Sequence, residues 1–428
     1  MPPAPLTASR RRLAAIGFVP TLLLAAGCAT GPGAAAGPTS TPTPSARPSE
    51  SPHAAPRLAL TYDGGVQVLD AATLEVLADL PLDGFNRLNG AGDGRHVLIT
   101  TAEGFQVLDA GAWADEHGDH AHYFTAEPRL TDVVIPAEKP GHVVAHEGRT
   151  ALFDDGTGDV VVFDAHDVAE PRREARALTT AVPHHGVAIE LADRTLVVSE
   201  GTADARTGIQ VLDGDGAQVA ASAECPGVHG EAVAADDAVV IGCENGALVV
   251  VGGAITKAAS PDAYGRIGNQ AGTEASPIVL GDYKSDPDAE LERPTRVSLI
   301  DTRTAALRLV DLPASYSFRS LGRGEHGEGL VLGTDGALHV IDPETGALER
   351  SIPVVAPWRE PDAWQEPRPA LFVQGGSVYV TDPSAGTLHV VDIEAGEVSR
   401  VAELTVVPNE LTGVLGASPA HGAHAHQH

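Results

Sequence analysis

Three histidines of this 428-residue chain stand at nearly equal intervals, each in a similar local sequence. His142 lies in Pro140-Gly-His-Val-Val-Ala, His185 in Pro183-His-His-Gly-Val-Ala and His229 in Pro226-Gly-Val-His-Gly-Glu-Ala. The intervals are 43 and 44 residues. Imidazoles spaced in this way meet if the chain repeats one structural unit around a common axis. Three of them at one point leave a fourth position for a carboxylate or water, which suits Zn²⁺ in tetrahedral geometry and Cu²⁺ less specifically. Glu231, two residues past His229, shares the strand face of His229 and is the candidate fourth ligand. A lone histidine so placed would be read as a backbone hydrogen-bonding group; three in register are read as metal ligands.

Two further groups add imidazoles. One is Glu116-His117-Gly118-Asp119-His120-Ala121-His122-Tyr123; the other is the tail with His421, His424, His426 and His428. His-x-His spacing puts two rings on one side of an extended chain, so His117, Asp119, His120, His122 and the tail histidines are expected to form secondary, fast-exchanging transfer sites. A solvated polar loop is the plain alternative for the first group. In the other repeats the position equivalent to the three histidines falls on or near Arg87, Arg266, Arg319 and Arg368. These arginines suit a phosphate or carboxylate, or else pair with the plentiful acidic side chains; both readings stand. Glu231, Glu325 and His326 are candidate acid–base groups for a metal-dependent lyase or hydrolase. No Gly-x-Ser-x-Gly elbow or active thiol accompanies them, so no enzyme activity is expected.

The elements that must position these groups show as a repeat. Gly65-Val-Gln-Val-Leu-Asp70 recurs as Gly104–Asp109, Asp159–Asp164, Gly208–Asp213, Ala247–Gly252, Arg296–Asp301, Ala337–Asp342 and Thr387–Asp392, with a mean period of 46 residues. Asp-Gly turns at 63–64, 93–94, 155–156, 213–214 and 335–336 punctuate it. Four short strands per unit at this period predict an all-β chain, a β-propeller of eight blades, or seven if one copy is spurious. Its first unit lacks an inner strand, which the run Leu404 to Val407 is expected to supply. Cys225 and Cys243 flank a hairpin turning near Ala235-Asp236, which places them within disulfide reach.

Before the repeat, Arg10, Arg11 and Arg12 precede the apolar stretch Leu13 to Ala26, and Leu24-Ala-Ala-Gly-Cys28 resembles a bacterial lipobox. Residues 1–27 are therefore expected to be a signal peptide. Cys28 is expected to carry a lipid that holds the chain on the outer face of the cytoplasmic membrane. Residues 28–56, with seven prolines, are expected to form a disordered tether. The propeller is expected over 57–416 and a His-rich tail over 417–428. Acidic residues number 58 against 28 basic ones, and loss of three leader arginines takes the net charge from −30 to −33. Such a surface repels phosphate backbones and excludes nucleic-acid binding, while an acidic field concentrates cations.

An exported propeller of this length, with its acidic His-rich loop and its Pro-His-His-Gly and Cys-Pro-Gly-Val-His-Gly-Glu motifs, resembles the AztD-type zinc metallochaperones over roughly residues 57–411. The resemblance implies a high-affinity zinc site in the propeller and a histidine segment that assists transfer. It also implies a partner, the solute-binding protein of a zinc ABC transporter. The lipid anchor and the tail histidines depart from that pattern and leave the direction of transfer open. The chain is expected to act as a monomer. A ligand-free surface scaffold is the remaining alternative.

Overall fold

The computed structural model describes residues 47–418 apart from Asp119 and Ala203. The leader, Cys28, Asp119 and the tail histidines therefore lie outside the described residues. The rest is all β, built from eight four-stranded antiparallel sheets arranged as propeller blades. All eight sequence repeats fall on the third strand of a blade, which decides eight over seven.

The repeat was readable because the middle strands of each blade are buried on both faces. Successive side chains of a strand point to opposite faces. In blade 2, Val97, Ile99 and Leu108 pack toward blade 1, while Leu98, Phe105 and Val107 pack toward blade 3. Among the described residues an apolar cluster fills each of the eight blade junctions. The one between blades 8 and 1 joins Tyr379, Leu388 and Val390 to Leu58, Leu60 and Leu69 and closes the ring.

Closure uses a different strand from the one expected. Leu411–Val414, not Leu404–Val407, forms the inner strand of blade 1, pairing Leu411 with Leu60 and Val414 with Arg57. The reason is distance. Leu404 directly follows the outer strand of blade 8, Glu397–Glu403. Three strand spacings of about 4.8 Å separate that edge from the axis, so the chain needs several residues to cross before it can pair again. Leu404 and Val406 instead pack against the junction on the way.

Part of the segment expected as tether is a strand. Ser49–Ser51 pairs with His120–Thr125, which pairs with Ala112–His117, in a three-stranded sheet outside the ring. Its hairpin, 112–125, joins the third strand of blade 2 (Gly104–Asp109) to its outer strand (Arg129–Pro136). Cys225 and Cys243 are bonded to each other.

Candidate metal centre

Inner strands of a propeller all run the same way along the axis, so their starts share one mouth of the channel. His142 lies near the start of the inner strand of blade 3, Pro140–His146. His185 and His229 lie just before those of blades 4 and 5, Ala188–Glu190 and Glu231–Ala234. The three rings meet: their centroids are 5.1, 5.5 and 5.0 Å apart, and one ligand nitrogen from each lies within 4.8 Å of the others.

Each ring is held through its Nδ1. His185 Nδ1 is 2.6 Å from Asp155 Oδ2, and His229 Nδ1 is 2.6 Å from the Gly268 carbonyl. Both partners accept, so Nδ1 carries the proton and Nε2 is left with its lone pair. Glu231 Oε2 stands 3.1 Å from His142 Nδ1, in ion-pair contact but off hydrogen-bond alignment. An outer layer of this kind is what orients imidazoles on a metal. A tetrahedral ion with bonds of about 2.0–2.1 Å holds its nitrogens roughly 3.4 Å apart, within the 4.8 Å limit that the three rings satisfy. Glu231 stands behind His142 in this arrangement, in an orienting position.

Burial and neighbouring charge treat the rings differently. Burial alone would lower His142, but the carboxylates of Glu231 and, further off, Asp155 together outweigh it and hold the ring above the ordinary imidazole value. Burial, followed by the charges of His142 and His185, pushes His229 well below that value. His229 is thus ready as a neutral ligand, while His142 must release a proton.

Adjacent His184 has a structural setting. It is buried, with Nδ1 on the Val182 carbonyl and Nε2 2.9 Å from Ser199 Oγ. Sequence reasoning did not find Asp155 or Gly268, since both arrive from turns far from the histidine motifs.

The other sites expected from sequence lie apart. His117, His120 and His122 cluster at the end of the hairpin outside the ring, with centroids 5.3 to 6.2 Å apart, and His122 Nδ1 is 3.1 Å from Glu50. All four arginines stand beside carboxylates. Arg87 and Arg319 share Glu410 at 3.3 and 2.5 Å, Arg368 meets Glu360 at 2.8 Å and Arg266 meets Glu244 at 3.7 Å. Glu325 and His326 occupy the turn between the first two strands of blade 7, at the opposite end of the channel from Glu231, so the three do not converge.

Fold and site together define an eight-bladed propeller with a metal-competent three-histidine cluster at one mouth of its channel. The chain is a homologue of the zinc chaperone AztD of Citrobacter koseri, 27% identical over 385 residues that span 85% of this chain and 88% of that protein. A crystal structure of Citrobacter koseri AztD matches with a TM-score of 0.73 at 25% identity, over 85% of this chain and 98% of that one. The dihydro-heme d1 dehydrogenase NirN shares the fold alone, with a TM-score of 0.53 at 13% identity over 84% of this chain and 75% of that one. No family model matches the chain.

Proposed function

We propose that this chain is an extracytoplasmic zinc chaperone. It binds Zn²⁺ through His142, His185 and His229, with water at the remaining position and Glu231 orienting His142, and delivers it to the solute-binding protein of a zinc ABC transporter. The observation that carries this reading is the convergence of three imidazoles, two of them with Nδ1 committed to an acceptor and Nε2 left to coordinate. Similarity to a protein named as a zinc chaperone, and a disulfide suited to an oxidising compartment, support it.

Transfer proceeds by stepwise exchange. A ligand of the acceptor takes the open position, and the histidines leave one at a time, so the ion is never free. His185, whose side chain is 39% exposed against 22% for His142, is the first to yield. His117, His120 and His122, joined by Asp119 and the tail histidines, act as weaker collecting sites in the acidic field. Cys28 holds the chain at the membrane surface.

The test is a zinc competition titration on the wild type and on His142→Ala, His185→Ala and His229→Ala. A site tighter than micromolar that each substitution weakens by about tenfold or more supports the reading. Micromolar or weaker binding in the wild type, or indifference to all three substitutions, overturns it.

A further inference from the structure

The hairpin histidines His117, His120 and His122 and the three-histidine cluster lie on opposite faces of the propeller. In blades 2 to 8 the turn joining the first two strands, and in every blade the link joining the last two, lie on the face where inner strands end. The hairpin bearing His117, His120 and His122 is such a link in blade 2. The inner strand of blade 1, Leu411–Val414, ends on this face, and Gly416 donates to the Gly94 carbonyl there. Arg95, next to Gly94, stacks on Trp113 at the root of the hairpin, 4.0 Å from its ring centroid. Hairpin and C-terminal segment therefore start from one turn, at the far mouth from His142, His185 and His229.

An axial cavity of about 610 Å³, lined by the inner strands of blades 3 to 6, runs from Glu231 beside the cluster to His146 at the far end of its strand. Glu231, which touches His142, lines its inner end; Val144, Ile189 and Val233 form walls; His146 and Glu274 line its outer end. At that outer end His146 Nε2 lies 2.8 Å from Asp237 Oδ1, a pair formed between blades 3 and 5. His146 is four residues beyond His142 on one strand, so about 13 Å of channel separates them. Asp236 and Asp237 both hold a positive φ, 61° and 55°, a strained backbone for residues other than glycine that aims the Asp237 carboxylate at His146. The His146–Asp237 pair has no part in the three-histidine cluster itself, and the cavity meets the cluster through Glu231.

We infer that the axial cavity is a second access route for the metal, with His146 and Asp237 as the station at its mouth. The inference rests on the zinc-binding reading above. A divalent cation collected on the histidine-rich face exchanges onto His146 Nε2 and the Asp237 carboxylate. It then crosses the cavity hydrated and is taken by Glu231, whose carboxylate delivers it to the Nε2 atoms of the cluster. The opposite mouth remains available to an acceptor, so loading and delivery use different faces.

The test mixes metal-free full-length protein with Co²⁺ in a stopped-flow instrument. The visible band of tetrahedral cobalt reports arrival at the cluster. Variants are His146→Ala, Asp237→Asn and the channel plug Val233→Trp, each checked by thermal melting; if the plug does not fold, the first two decide. The expected result is an arrival rate lower by about one decade, with equilibrium cobalt affinity within about twofold of wild type. Wild-type rates in every folded variant overturn the route and place entry at the three-histidine mouth. A matching loss of equilibrium affinity also overturns it, since His146 and Asp237 would then act on the cluster rather than on the path. Absence of the cobalt band in wild type would instead defeat the zinc-binding reading on which the route depends.

Discussion

At the scale of single residues, the three imidazoles differ in what they do before a metal arrives. His229, with its titration pushed down by burial and by its two neighbours, is neutral at pH 7, whereas Glu231 raises His142 so that it retains a proton to higher pH. The sign follows from linkage. Metal competes with the proton on His142, so zinc affinity rises with pH through the His142 titration and falls below it. Stability contributed by the His142–Glu231 contact in the metal-free protein runs the other way. It is fully present below the unfolded imidazole value and is lost as pH rises through the raised folded one. Calorimetry in buffers of different ionisation enthalpy should show up to about one proton released per zinc near neutral pH, declining toward zero in alkali. Glu231→Gln should reduce that release. No proton release at pH 7, or release unaffected by Glu231→Gln, would sink this account. The histidines were legible because each opens a repeat unit at the same place. Asp155 was not, because it comes from the turn between the second and third strands of blade 3 and meets a histidine of blade 4 only in the assembled ring.

At the scale of elements, His229 depends on how its loop is pinned. Cys225 begins the loop and Cys243 ends the second strand of blade 5, and the bond between them closes a segment of 18 residues around His229. Both sulfurs are buried in the junction of blades 4 and 5 with Val228 and Ile241. Gly230 completes the arrangement. It holds φ +73°, and a Cβ there would fall 2.8 Å from the Gly268 carbonyl, a backbone atom that cannot swing aside, so glycine lets the chain before the inner strand of blade 6 close against the loop. Replacing both cysteines by serine should cost about 3 kcal/mol in urea unfolding, the loop-closure value for a segment of this length. It should also weaken zinc binding while leaving His142 and His185 in contact. Unchanged zinc affinity in the serine variant would mean that the bond serves stability alone. The pairing was readable because the two cysteines stand at comparable distances from one turn. The shortest elements were not: Leu88–Gly90 and Gln270–Ala271 have too few residues to show any alternation, and their identity as inner strands comes only from their place in the blade.

For the whole molecule, the ring makes every blade depend on both neighbours, and the eight-blade count was legible because apolar third strands recur at one period. Closure was harder to read, since the closing strand is four residues long and lies beyond a crossing whose length is set by three strand spacings. The residue before that strand ties three blades together. Thr61 and Glu410 are joined by the bond from Thr61 N to the Glu410 carbonyl, and Glu410 also takes Arg319 of blade 7 and Arg87 of blade 2. Removing residues 405–428 would uncover the edge of Arg57–Tyr62, a strand with five of its six residues buried, and leave Arg319 without its carboxylate in a buried setting. An exposed apolar edge of that kind pairs with other chains. The truncated protein should therefore elute as oligomers or aggregate, with a melting transition that is lower and broader than that of the full chain. A shorter truncation removing residues 419–428 alone leaves the closing strand intact and should melt with the full chain. If the longer truncation stays monomeric and melts unchanged, closure through Leu411–Val414 does not hold the ring, and the apolar junction of blades 8 and 1 must be sufficient by itself.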